Sequence, residues 1–104
     1  RLGAPVPDAP LMTPDGRPAF LLERLSNDFQ VLHVRNGASP DVPEGVTVTV
    51  IGDDLGDEAG LFTQRFDATP GATYLLRPDH HLAARWRSCE RSKIVAALDR
   101  ALGH

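Results

Sequence analysis

Short apolar blocks separated by proline and glycine run along the chain, and their spacing sets the expected elements. Residues 1–18 carry Pro5, Pro7, Pro10, Pro14 and Pro18, with Gly3 and Gly16 among them. Proline lacks an amide donor and has a fixed φ, so this stretch reads as an extended lead-in, neither helix nor central strand. Within it TPDGRP, Thr13 to Pro18, is a tight turn. AFLLERLS, Ala19 to Ser26, puts apolar residues on one side of one or two helical turns. Phe29 to Arg35 is rich in β-formers and reads as a buried strand, and Asn36 to Gly45 is a loop. Val46 to Gly52 alternates most clearly, with Val46, Val48 and Val50 on one face and Thr47 and Thr49 on the other.

Asp53 to Gly71 opens with acidic residues and then supports a short helix over Leu61 to Phe66. Tyr74 to Arg77 and His81 to Arg87 read as two strands around a Pro-Asp turn. Glu90 to Gly103 places Ile94, Val95, Leu98, Ala101 and Leu102 at helical spacing, with Ser88 as the expected N-cap and Gly103 as the stop. Two strands joined by a long crossover, then a hairpin and a closing helix, is the ordering of an α/β thioredoxin-like sandwich. The expectation is a central mixed sheet of about four strands with a C-terminal helix. The first crossover helix is reduced to a loop. Residues 19–104 form the domain and residues 1–18 its lead-in.

Composition narrows the function. At 104 residues the chain suits one domain, and a formal charge of -3 with a pI near 5.7 argues against a nucleic-acid binder. The apolar runs are too short to span a bilayer, and Arg1 is followed by no secretory pattern. The single cysteine, Cys89, excludes an internal disulfide and fits a reducing, cytoplasmic setting. The absence of an initiator methionine fits processing and a piece cut from a longer protein equally.

Thiol redox chemistry needs a Cys-x-x-Cys after the first strand, and Cys89 instead precedes the last helix. A helix N-terminus lowers the pKa of a nearby thiol, which leaves a reactive Cys89 as the minor reading; the main one is a small residue at a strand–helix junction. Metal binding at Asp79, His80 and His81 lacks a second ligand pair, with His33 and His104 far off in sequence, and the neighbouring arginines repel a cation. Asp53, Asp54, Asp57 and Glu58 lack the spacing of a calcium loop and read as a solvated loop and helix start. No nucleophile elbow, dinucleotide glycine motif or P-loop occurs, so no catalytic, cofactor-binding or metal residue is expected here. What remains is the hairpin YLLRPDHHLAARWR. A three-residue loop Pro78-Asp79-His80 pairs Arg77 with His81, Leu76 with Leu82 and Tyr74 with Ala84. One face then carries Tyr74, Leu76, Leu82, Ala84 and Trp86, and the other Leu75, Arg77, His81, Ala83 and Arg85.

GATYLLRPDHHLAARW, Gly71 to Trp86, resembles the R-P-D-x-H-[VL]-A-x-R-W signature near the C-terminus of class A flavin-dependent aromatic hydroxylases. These are enzymes of the phenol hydroxylase and 3-hydroxyphenylpropionate hydroxylase kind. GAPVPDAPL with the D-G-R turn is similar to the opening of the same C-terminal domain, and DEAGLF, Asp57 to Phe62, to its D-x-x-G-x-[LF] step. The resemblance implies a thioredoxin-like domain without thiol chemistry. Such a domain follows the FAD-binding and substrate domains, docks on them, and in some members joins a homodimer contact. FAD and NAD(P)H would serve the parent monooxygenase and bind elsewhere. Arg77, Asp79, His81, Arg85 and Arg87 are the candidate docking residues. The alternative is a stand-alone, redox-inactive binding module. Two positions depart from the pattern: His80 stands where glycine or glutamine is usual, and Arg35 where an apolar residue is.

Overall fold

The structure, a computed structural model, describes residues 3–103. A four-stranded sheet runs in the order β4-β3-β5-β6, built from β3 (Gln30–Val34), β4 (Thr47–Ile51), β5 (Thr73–Leu76) and β6 (Leu82–Trp86). β3 and β4 are parallel; β5 is antiparallel to both β3 and β6, so the sheet is mixed. A parallel pair needs a crossover, and here the crossover from Val34 to Thr47 is a loop without helix. Proline and glycine at Gly37, Pro40, Pro43 and Gly45 forbid a helix there.

The lead-in is extended and its second half pairs. β1 (Pro10–Met12) and β2 (Pro18–Phe20) form an antiparallel ribbon around the Thr13–Arg17 turn, and β2 runs straight into α1 (Leu21–Arg24). Its first half borders the sheet. The Gly3 amide donates to the Leu82 carbonyl (2.7 Å), Leu82 to Ala4 (3.0 Å) and Val6 to His80 (3.1 Å), so the lead-in covers the start of the outer edge of β6.

The sheet separates two apolar clusters. On one face Leu32, Tyr74, Leu76 and Leu82 pack with Phe62 and Phe66 of α2 (Leu61–Phe66) and with Val6, Ala9, Leu11 and Leu21. Phe62 stacks on Phe66 at 4.2 Å between ring centroids, and both meet Tyr74 edge-on. On the other face Val31, Leu75 and Ala84 pack with Ile94 and Ala97 of α3 (Arg91–Ala101). Because no crossover helix shares that face, Val46, Val48 and Trp86 are only half-buried.

Two local expectations are corrected. Glu90, not Ser88, is the N-cap of α3; the Ser88 hydroxyl instead donates to Glu90 Oε2 (2.8 Å). The hairpin register also differs. Leu76 faces Leu82 as expected, but Leu75 faces Ala84 and Tyr74 faces Arg85, because Ala83 is an extra residue forming a β-bulge.

Candidate functional site

The turn is built by its own side chains. The Arg77 amide donates to the His81 carbonyl (2.9 Å) and the His80 amide to Arg77 (2.9 Å), which closes a three-residue loop. His80 sits in the left-handed region at φ 63°, and its Nε2–H donates to the Ser26 carbonyl (2.9 Å). A residue without that reach would carry the strain with no partner in return. Arg77 grips Asp79 with two parallel bonds, Nε to Oδ1 (3.1 Å) and Nη2 to Oδ2 (2.6 Å). The His81 amide also donates to Asp79 Oδ1 (3.2 Å). The Arg77 guanidinium holds the Asp79 carboxyl down at about 2.

The bulge divides the five candidate residues. Ala83 and Ala84 both face α3, so the alternation restarts and Arg85 emerges on the α2 side, opposite Arg77. The single face carrying Arg77, His81 and Arg85 is therefore corrected to two. Arg77 and Asp79 line a cleft of about 400 Å³ with Gly3, Ala83, Ala97 and Arg100. Arg85 and Arg87 line another, of about 510 Å³, with Asp67, Thr69, Ala72 and Trp86.

Arg85 is largely committed to the fold. Its guanidinium lies 5.3 Å from the centroid of the Tyr74 ring, and Nη2 donates to the Phe66 and Asp67 carbonyls, both at 3.4 Å. Tyr74 Oη–H donates to the same Phe66 carbonyl (3.1 Å), so two side chains satisfy the end of α2. Burial pushes the Tyr74 hydroxyl pKa up, partly offset by Arg85. Arg87 is exposed and has no ion-pair partner among the described residues.

The remaining motif carboxylates are ties as well. Asp57 accepts from the Phe62 amide (2.9 Å) and from the amide and hydroxyl of Thr63 (2.9 and 2.7 Å), while Gly60 turns the chain at φ 72°. This explains the D-x-x-G spacing: the aspartate caps the helix that the glycine makes reachable. Asp8 does the same for α1, accepting from the amides of Ala9 (2.9 Å) and Leu22 (3.0 Å). Asp54 accepts from the Val50 amide (2.7 Å), and Asp53 pairs with Arg35 (3.1 Å), which gives the departing Arg35 a role. Among the described residues no three His, Cys, Asp or Glu side chains gather closely enough to hold a metal ion. His104 lies outside the described residues.

Cys89 is half-buried, and burial pushes its thiol pKa up, which disfavours the reactive-thiol alternative. Its Sγ–H points to the Asp41 carbonyl at 3.7 Å. His33, weighed from the sequence only as a distant metal ligand, lies inside β3 with Nδ1 3.0 Å from Thr73 Oγ1. Its flanking apolar residues, Leu32 and Val34, were the only signal.

No protein-family profile matches the chain, and no curated protein does. Solved structures do match. Aklavinone-11 hydroxylase, in a ternary complex with FAD and aklavinone, is 17% identical with a TM-score of 0.75, over 94% of this chain and 20% of its own. The flavin-dependent monooxygenase PieE, in complex with FAD and substrate, is 22% identical with a TM-score of 0.76, over 98% and 20%. The Diels-Alderase PyrE3 of pyrroindomycin biosynthesis is 29% identical with a TM-score of 0.55, over 93% and 18%. The chain thus spans about a fifth of the length of these proteins.

Proposed function

We propose that the chain is the non-catalytic C-terminal accessory domain of a class A FAD-dependent aromatic hydroxylase, docking on that enzyme's flavin and substrate domains or on a dimer partner. One observation carries this reading. Nearly all of the chain superposes on two FAD-containing enzymes, yet it accounts for only 20% of either. The sheet order β4-β3-β5-β6, a parallel pair followed by a hairpin, supports the thioredoxin-like description. A raised Cys89 pKa accords with a domain that has no thiol chemistry.

The residues present do not fit a flavin dinucleotide. Pyrophosphate binds at helix N-termini freed of competing anions. The first turns of α1 and α2 are already occupied by Asp8 and Asp57, and the Glu90 carboxylate stands at the start of α3, so at each helix start a negative charge would repel a phosphate. On this reading FAD and NAD(P)H belong to the parent enzyme's other domains, where the hydroxylation takes place. The Diels-Alderase neighbour is named for a different reaction, in keeping with a unit whose fold does not select the chemistry beside it.

The longer polypeptide, with the gene segment upstream of Arg1, is expected to purify with bound flavin and to oxidise NAD(P)H with an aromatic substrate. The 104-residue chain alone is expected to be colourless. A gene that starts at Arg1 with no flavin domain upstream would favour the stand-alone binding module and overturn this reading.

A further inference from the structure

His33 is the only side chain among the described residues with a buried polar atom left unpartnered, its Nε2. The ring is 2% exposed and sits in β3, the strand flanked by both β4 and β5. The Thr73 hydroxyl donates its single proton to the Gly71 carbonyl at 3.0 Å. The Thr73 oxygen can then only accept from His33, at 3.0 Å, so Nδ1 carries the hydrogen and Nε2 keeps a bare lone pair. A neutral ring leaves one weak acceptor unmet. An imidazolium would leave a charged N–H against packed side chains, at a far greater penalty.

The surroundings offer little to balance that charge. Val50 of β4 and Thr73 of β5 are its neighbours in register, and neither ionises. Asn36 stands beside the ring and favours the charged form, yet completes no hydrogen bond to Nε2. Cys89, from the connection into α3, lies against Thr73 as a neutral thiol whose pKa burial raises. In the loop over this face, the Asp41 carboxylate is committed to Arg91 of α3 at 3.1 Å, where both are exposed.

We propose that His33 is a pH-sensitive latch: neutral, it lets the 35–46 loop and α3 seal their face of the sheet, and protonated, it releases that layer. Burial holds the folded ring below its ordinary 6.5, so the unfolded or opened chain takes up the proton first as pH falls. Stability is complete above 6.5 and declines below it, until the folded ring itself protonates. The decline can reach about tenfold in the equilibrium constant per pH unit.

Trp86, the one tryptophan, packs half-buried in this layer and reports its opening. The test follows Trp86 emission and urea unfolding of the 104-residue chain from about pH 8 to about pH 5. His33→Gln keeps the size and polarity but cannot titrate, and His81→Gln controls for the surface histidine. Wild type and His81→Gln should lose about tenfold or more in folding equilibrium constant with a red shift of Trp86, and His33→Gln should lose most of that sensitivity. Equal acid sensitivity in His33→Gln would overturn the latch. If that variant does not fold, the wild-type His33 ring signal in NMR decides. Titration well below 6.5 supports the latch, and titration at or above 6.5 overturns it.

Discussion

Asp8, Asp57 and Asp79 are three of the motif aspartates of this chain, and each closes a junction or a turn. Asp57 satisfies two amides of α2 at once, so Asp57→Ala is expected to destabilise the fold by about 1–2 kcal/mol in urea unfolding, as lost caps do. Asp79 differs because its tie to Arg77 depends on charge. Its folded value is about 2 against an ordinary 3.8, so its contribution is complete above 3.8 and is lost as pH falls toward 2. The stability gap between wild type and Asp79→Asn should therefore narrow across that window; a constant gap would mean the carboxylate acts without its charge. His80, at φ 63°, separates strain from bonding. His80→Ala should cost about 1 kcal/mol or more, losing the Ser26 bond while keeping the strain, whereas His80→Gly should cost less.

At the scale of elements, the sheet manages its two edges differently. β6 is covered at its start by the lead-in, while the free edge of β4 is met at Val50, whose amide donates to the Asp54 carboxylate and whose carbonyl accepts from the Asp54 amide. Asp54→Ala exposes an unpaired amide on a β-branched edge, and is expected to promote self-association at high concentration, visible by light scattering. α2 is too short to hold itself, so its end depends on Tyr74 and Arg85. Tyr74→Phe removes a buried bond to the Phe66 carbonyl, with an expected loss of about 1–2 kcal/mol. The bounds of α2, Leu61–Phe66, were legible because periodicity and breakers agree there, whereas the helix read over Ala19–Ser26 is confined to Leu21–Arg24 because Ala19 and Phe20 pair in β2. The α3 cap was not, because Ser88 finds Glu90 in space before it finds a helix amide.

For the whole molecule, the bulge at Ala83 decides which surfaces can act together. Arg77 and Arg85 lie on opposite faces, so one partner surface docking flat against either face does not engage both. Arg87, exposed and unpaired, is the arginine of the candidate group least tied to the fold. Under the accessory-domain reading, Arg87→Glu should leave the chain's unfolding midpoint unchanged and weaken its association with the flavin-binding part in a titration. Arg85→Ala should lower the midpoint itself, through lost packing on Tyr74 and the lost donor to the Asp67 carbonyl, while Tyr74 still serves the Phe66 carbonyl. An unchanged midpoint in Arg85→Ala would return that residue to a docking role.

Local patterning determined most elements here: the Thr47–Ile51 strand, the Leu61–Phe66 helix, the three-residue turn and the left-handed His80 each follow from neighbouring residues alone. The α/β class followed from their order. Tertiary structure decided what neighbours cannot specify. A bulge shifts register by one residue and sends Arg85 to the other face, though Ala83-Ala84 carries no mark of it. A histidine flanked by apolar residues becomes a buried, half-satisfied ring only once Thr73, distant in sequence, presents its oxygen across the sheet. Both depend on which strands meet, and that is settled by packing over the whole chain.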